Sequence, residues 1–266
     1  MRATPPTLDA ILALSTRDRL ALGRTIAEGL GASWKASDAL VGAREMIELV
    51  HASGHAFVVI GSTRFERGLR ASEREALITA MVGPRDEDDD EERDSDADRA
   101  FVASQIPHDV MPPEVVEVPA FLIGREPLSV ARAAALGGPP LQDLGYPEAS
   151  GDTSEWNAFV DALPDGLRLP TEDEWELVAR EGGVGSWIVP MPTNGFAGLW
   201  PPEEIFAHEN ALGVRSLAVA EVFANGQRRG VSDGRGNWGG STGNAELHAA
   251  ARWGDAFGGS RLARSL

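Results

Sequence analysis

The stretch 166-GLRLPTEDEWELVAREGG-183 decides how the rest of the chain is read. Thr171 is placed to cap a helix, and Glu174 stands three residues on, where its carboxylate reaches back to the cap's N–H. Glu172, Asp173 and Glu174 fill the first turn, at the positive end of the helix dipole. Trp175, Val178 and Ala179 fall at i, i+3 and i+4, an apolar stripe facing a core. Arg180 closes the last turn, and Gly182 with Gly183 ends the helix.

The string itself says more than its capping physics. Arg-Leu-Pro-Thr-Glu-x-Glu-Trp-Glu, from Arg168 to Glu176 with Asp173 as the free position, resembles the formylglycine-generating-enzyme (sulfatase-modifying factor) family. Further resemblances lie on both sides of it. Phe57–Ser62, FVVIGS, is similar to the family's opening strand, and Phe121–Arg132, FLIGREPLSVAR, to its strand-then-helix phrase. Asn210–Val214, Trp238–Ser241, His248–Arg252 and Gly259–Arg264 resemble later family phrases. The resemblance spans about residues 55–266 and implies an α+β, C-type-lectin-like fold of the formylglycine-generating-enzyme type, with much irregular structure. Residues 1–54 are expected as a helical N-terminal segment. Apolar spacing predicts helices at Thr7–Leu14, Leu20–Leu30 and Asp38–Val50, the last capped by Ser37 or Asp38.

Other elements follow from pattern. A helix is expected around Ser72–Met81, a strand at Val115–Phe121, and helices at Ser129–Leu136 and Ser154–Leu163. Between them, residues 86–98 carry ten acidic side chains against Arg93 alone, a net of −9. An acidic mobile loop is therefore expected at 85–99, because like charges repel and little apolar area offsets their ordering.

Composition excludes several functions. The formal charge of −17 argues against nucleic acid, which needs clustered Lys and Arg. No run of about 18 apolar residues marks a membrane span, and no basic start precedes an apolar stretch as in a secretory signal. Cysteine is absent, so disulfides, thiolate nucleophiles and copper or zinc thiolate sites are excluded. A cytoplasmic location fits that composition.

The enzymes of the resembled family oxidise a substrate cysteine with two active-site cysteines that hold copper. Those would fall around Ala245–Arg252, where His248 stands alone among metal-binding types. Family members that make sulfoxides use a His-x-x-x-His-x-Glu iron site. His51 and His55 have that spacing, but Gly54 interrupts the helix it needs and Phe57 stands where the glutamate should be. Both are expected as surface or boundary histidines. The family's calcium phrase is reduced to Val219–Ala224, with Glu221 as its one retained ligand. No catalytic residue, metal or cofactor is assigned.

Retained framework without retained chemistry points to binding. The C-terminal stretch from Trp238 to Phe257 mixes Gly, Ala and Asn with isolated aromatics, as protein-recognition loops do. The candidate ligand-binding residues are Trp238, Thr242, Asn244, His248, Arg252, Trp253, Asp255 and Phe257, and the expected partner is a protein or a partner subunit. The layout also resembles the variable proteins of diversity-generating retroelements, in which asparagine codons are randomised at adenines. Thr242, Gly243, Asn244, His248, Gly254, Asp255, Ala256, Phe257 and Gly258 are reachable from such a codon, whereas Trp253 is not. Two other readings stay open: an oxidase or sulfoxide synthase with a non-standard site, and a structural subunit of a bacterial complex.

Overall fold

A computed structural model describes residues 6–82, 95–105, 113–143, 149–185, 208–217, 221–223, 225, 228–229 and 257–266. Their architecture is mixed α+β with antiparallel sheets. The central sheet has five strands, β1 (Trp34–Val41), β2 (Met46–His51), β3 (Ala56–Ile60), β6 (Phe121–Gly124) and β11 (Ala263–Ser265), in the order β1-β2-β3-β6-β11. Every pairing within it is antiparallel.

The near-continuous apolar runs of β3 and β6 reflect burial on both faces. Side chains alternate across a strand, so Val58, Ile60, Phe121 and Ile123 enter one core, and Phe57, Val59 and Leu122 enter the other. The first core is closed by α7 (Glu172–Ala179), which contributes Trp175, Leu177 and Val178, together with Leu212, Val214 and Phe223. The second is closed by α2 (Thr16–Leu30), α5 (Val130–Leu136) and α6 (Thr153–Asp161), through Ala27, Ala133, Trp156 and Phe159. A short helix α1 (Leu8–Ala13) straddles the two, with Leu8 in the first and Ile11 in the second. Its start is fixed by the Leu8 N–H on the Ser62 carbonyl at 3.0 Å. Gly61 makes this approach possible, since a Cβ there would lie 2.4 Å from the Leu8 nitrogen.

The organising helix forms as its sequence requires. Thr171 Oγ1 accepts from the Glu174 N–H at 3.2 Å, and Glu174 accepts from the Thr171 N–H at 2.8 Å. Trp175, Val178 and Ala179 are all buried. The helices expected at Ser72–Met81, Ser129–Leu136 and Ser154–Leu163 appear as α3 (Ala71–Val82), α5 and α6. Among the described residues, no helix is long and apolar enough to cross a membrane.

Three expectations are corrected. Asp38–Val50 is not a helix: residues 34–51 form the hairpin β1–β2, joined at Gly42 (φ 70°) and Glu45 (φ 54°). Left-handed residues end any helix there, and Met46, Ile47 and Leu49 are buried between the two cores. The hairpin shares one sheet with β3, so residues 1–54 are not a separate helical segment. The expected strand Val115–Phe121 is two strands broken at Pro119, which has no N–H to give a ladder. Its first part, β5 (Glu114–Val118), pairs with β4 (Thr63–Arg67), a strand the sequence reading missed, and its second part is β6. Lastly, the acidic loop does not reach residue 99. Helix α4 (Ser95–Gln105) begins inside it and packs on α3, with Arg99 reaching Glu75 at 2.8 Å. Residues 85–94 lie outside the described residues.

Candidate functional site

Trp238, Thr242, Asn244, His248, Arg252, Trp253 and Asp255 lie outside the described residues. Phe257 begins β10 (Phe257–Gly258), whose backbone pairs with β7 (Gly151–Asp152). The structure therefore defines the candidate site by its two roots, and both are built into the core.

On the entry side, β8 (Glu221–Val222) pairs with β9 (Arg228–Arg229). On the exit side, Gly259 follows β10 and bridges Glu221. The Val222 N–H donates to the Gly259 carbonyl at 2.9 Å, and Ser260 Oγ donates back to the Val222 carbonyl at 2.8 Å. The chain leaving β9 and the chain entering β10 thus belong to one small assembly. Residue 259 continues directly into β11, which pairs with β6 and exchanges two backbone hydrogen bonds with Arg168, at 2.7 and 2.9 Å.

Arg261 is the pin of that assembly. Its side chain and that of Glu221 are both fully buried. Its Nε donates to the two Glu221 oxygens at 2.9 and 2.7 Å, and its Nη2 to one of them at 2.6 Å. The remaining N–H groups meet backbone carbonyls of Gly124, Arg125, Arg215 and Ser216 at 3.0–3.4 Å. A planar five-donor guanidinium suits such an oxygen-lined cage. Glu221, the one carboxylate left from the resembled calcium phrase, therefore has both oxygens on an arginine.

Neighbouring braces hold the same frame. Asn210, from the Asn210–Val214 phrase, is buried; its amide donates to the Val178 carbonyl at 2.8 Å and its oxygen accepts from Leu212 and Val214. Gly213 turns the chain at φ 79°. Arg125 ties β6 to this turn through Glu209 at 2.7 Å and to β2 through Glu48 at 2.9 Å. Burial alone would lower the Arg125 guanidinium, but Glu209 and Glu48 together hold it above its ordinary value. A second fully buried arginine, Arg180, joins α7 to Glu73 of α3 at 2.8 Å and to Glu176 at 2.9 Å. The sequence reading placed Arg180 only as the last turn of a helix; the i,i+4 spacing of Glu176 and Arg180 was the available signal.

The two histidines are corrected as well, since both are buried. His51 accepts at Nδ1 from the Ser53 N–H at 3.2 Å and meets Ser53 Oγ at 2.9 Å, while its Nε2 faces Asp165 at 3.1 Å. The His51 hydrogen bond, with help from Ser33, holds the Asp165 carboxyl below its usual range. A serine, a histidine and an aspartate in line resemble a nucleophilic triad, but the backbone donors beside the serine are engaged elsewhere. The N–H groups of Ala52, Ser53 and Gly54 go to the Ser33 carbonyl, His51 Nδ1 and the His51 carbonyl. What remains is a tether between the β2–β3 turn and the loop after α6. His55 lies against Phe57, ring centroids 4.8 Å apart, and neither ring nitrogen has a hydrogen-bond partner among the described residues. Among those residues no group of three His, Asp or Glu side chains is placed to hold a metal.

No family model matches the chain, and no curated protein matches it. Among solved structures, the chain is similar to PvdO from Pseudomonas aeruginosa, with 18% identity and a TM-score of 0.46 over 80% of this chain and 95% of that one.

Proposed function

We propose that this chain is a non-catalytic binding protein of the C-type-lectin-like, formylglycine-generating-enzyme type, which recognises a protein partner through the segment between β9 and β10. The observation that carries the reading is the bracketing of residues 230–256. Their two flanks are stapled together by the Glu221–Arg261 pair, the Val222–Gly259–Ser260 hydrogen bonds and the pairing of β11 with β6. A frame of this rigidity supports variation or adaptation in the segment it carries without cost to the fold. The aromatic side chains Trp238, Trp253 and Phe257, among glycines and small polar residues, are the anchors of such a surface, each worth roughly 2 kcal/mol or more. The acidic body favours a basic partner by long-range steering, and the absence of cysteine suits a reducing, cytoplasmic setting. The finer form of the reading is a variable protein diversified by a retroelement.

Two experiments test these levels separately. Cross-linked capture followed by reconstitution with the purified partner should give a complex that Trp253→Ala with Phe257→Ala destroys, while Phe101→Ser on α4 leaves it intact. Loss with Phe101→Ser and retention with the aromatic pair would place the site elsewhere. For the finer form, the gene should lie beside a reverse transcriptase and a near-copy of the coding sequence for residues 240–260. A neighbourhood lacking both would remove the variable-protein reading and leave the binding face standing.

A further inference from the structure

His55 has no place in the frame's hydrogen bonding, yet it sits beneath its pin. It opens the turn into β3 and is fully buried. Its Nε2 lies against Gly124, close enough that a Cβ there would stand 2.7 Å away. Gly124 is in turn held on both sides by the C-terminal frame. Its N–H donates to the Leu262 carbonyl at 2.7 Å, and its carbonyl accepts from Arg261 at 3.1 Å. The ring thus packs on the residue at the end of β6 that holds 261 and 262 through both its N–H and its carbonyl.

Among the described residues, the groups whose charge acts on His55 are two arginines and a histidine. Arg132 comes from α5, Arg261 from the segment before β11, and His51 from β2. Strand β6 brings no titratable side chain, and neither does the rest of β3. Arg132 is paired with Glu126 at 3.0 Å and Arg261 with Glu221. Among the described residues neither ring nitrogen has a hydrogen-bond partner, so a proton on His55 would be buried without an acceptor.

We infer that His55 is an acid-sensitive latch for the C-terminal frame: neutral, it fills the space under Gly124, and once protonated it forces the 259–266 segment, Arg261 included, away from β6. The inference takes its purpose from the binding-face reading, since the released frame is the one that carries residues 230–256. Burial first, then the neighbouring Arg132, Arg261 and His51, push the closed-state value down to about 3. The opened form titrates near the ordinary value of about 6.5. The sign follows: the open form binds more protons, so closure is fully favoured above about pH 6.5 and weakens as pH falls toward 3. Between pH 7.5 and 5.0 the opening equilibrium should rise about 30-fold from this group alone.

Hydrogen–deuterium exchange of the full chain, corrected for intrinsic rates, tests this at pH 7.5 and 5.0. The amides of Gly124, Leu128, Val222 and Ala263, which bond across the frame, should lose about 30-fold of their protection. The Arg180 amide, bonded within α7, should lose far less. In His55→Leu the frame amides should keep their protection at pH 5.0; His55→Gln replaces it where the leucine variant does not fold. If neither variant folds, the selectivity of the wild-type loss decides. Equal protection at both pH values, a uniform loss across the chain, or the same loss in the folded variant would overturn the latch. Because no partner is used, these outcomes are independent of whether the binding face is correctly placed.

Discussion

Replacing Arg261 with methionine removes the pin while keeping most of its apolar volume. The wild-type pair is fully buried on both sides, with three N–H···O contacts of 2.6–2.9 Å. Removal of one partner strands the Glu221 carboxylate without solvent, a loss of about 3–5 kcal/mol for a buried pair. The four backbone carbonyls that Arg261 also serves are left without that donor. For a chain of this size each kcal/mol shifts the melting temperature by about 2–4 °C, so a fall of about 6–20 °C is expected. Urea unfolding at neutral pH gives the free energy directly. Glu221→Leu combined with Arg261→Met should be less destabilised than the two single losses summed, with a coupling of about 2 kcal/mol or more. Single variants that lose under about 1 kcal/mol, or strict additivity, would refute the claim that this pair clamps the two flanks together.

Other outcomes follow from particular contacts. Gly124→Ala should destabilise the fold by about 1–3 kcal/mol in urea unfolding, because its Cβ would meet His55 Nε2 at 2.7 Å and the Leu262 carbonyl oxygen at 3.3 Å; a neutral result would mean the ring is not seated there. Asp165→Asn should flatten the acid limb of the stability profile, since a carboxyl held down by His51 contributes stability that is fully present above its ordinary range and is lost as pH falls from there through its lowered value; an unchanged limb would contradict the tether. Removing residues 86–94 should leave the melting temperature within a few degrees, since a sequence with ten acidic residues in 86–98 offers little apolar area to stabilise the fold. Incubation with copper or iron and a cysteine-bearing peptide should give no formylglycine and no sulfoxide above the metal-only control.

The legible parts of the fold are those whose local signals and tertiary needs agree. The capping box at Thr171–Glu174 and the stripe Trp175–Val178–Ala179 specify their helix from neighbours alone. The hairpin at 34–51 was misread because Leu40, Val41, Met46 and Ile47 also fit a helical period. Their true grouping depends on Gly42 lying against Gly213 and Ala211, a contact distant in sequence: a Cβ there would meet the Gly213 nitrogen at 2.3 Å. His51 and His55 were misread for a similar reason. Nothing near them in sequence announces Asp165 or Gly124 as neighbours. The C-terminal frame was half legible. Its phrases were recognisable, but the partnership of Glu221 with Arg261 joins residues forty positions apart and has no local signature.

The proposed binding surface between the two stapled flanks is tested most directly by one titration. With the captured partner purified, calorimetry against the wild type and against Trp253→Ala with Phe257→Ala measures what the segment contributes. Two anchors of roughly 2 kcal/mol each predict a loss of affinity of about 700-fold, with the melting temperature of the variant within about 2 °C of the wild type. Unchanged affinity in a variant that folds as the wild type does would contradict the central claim.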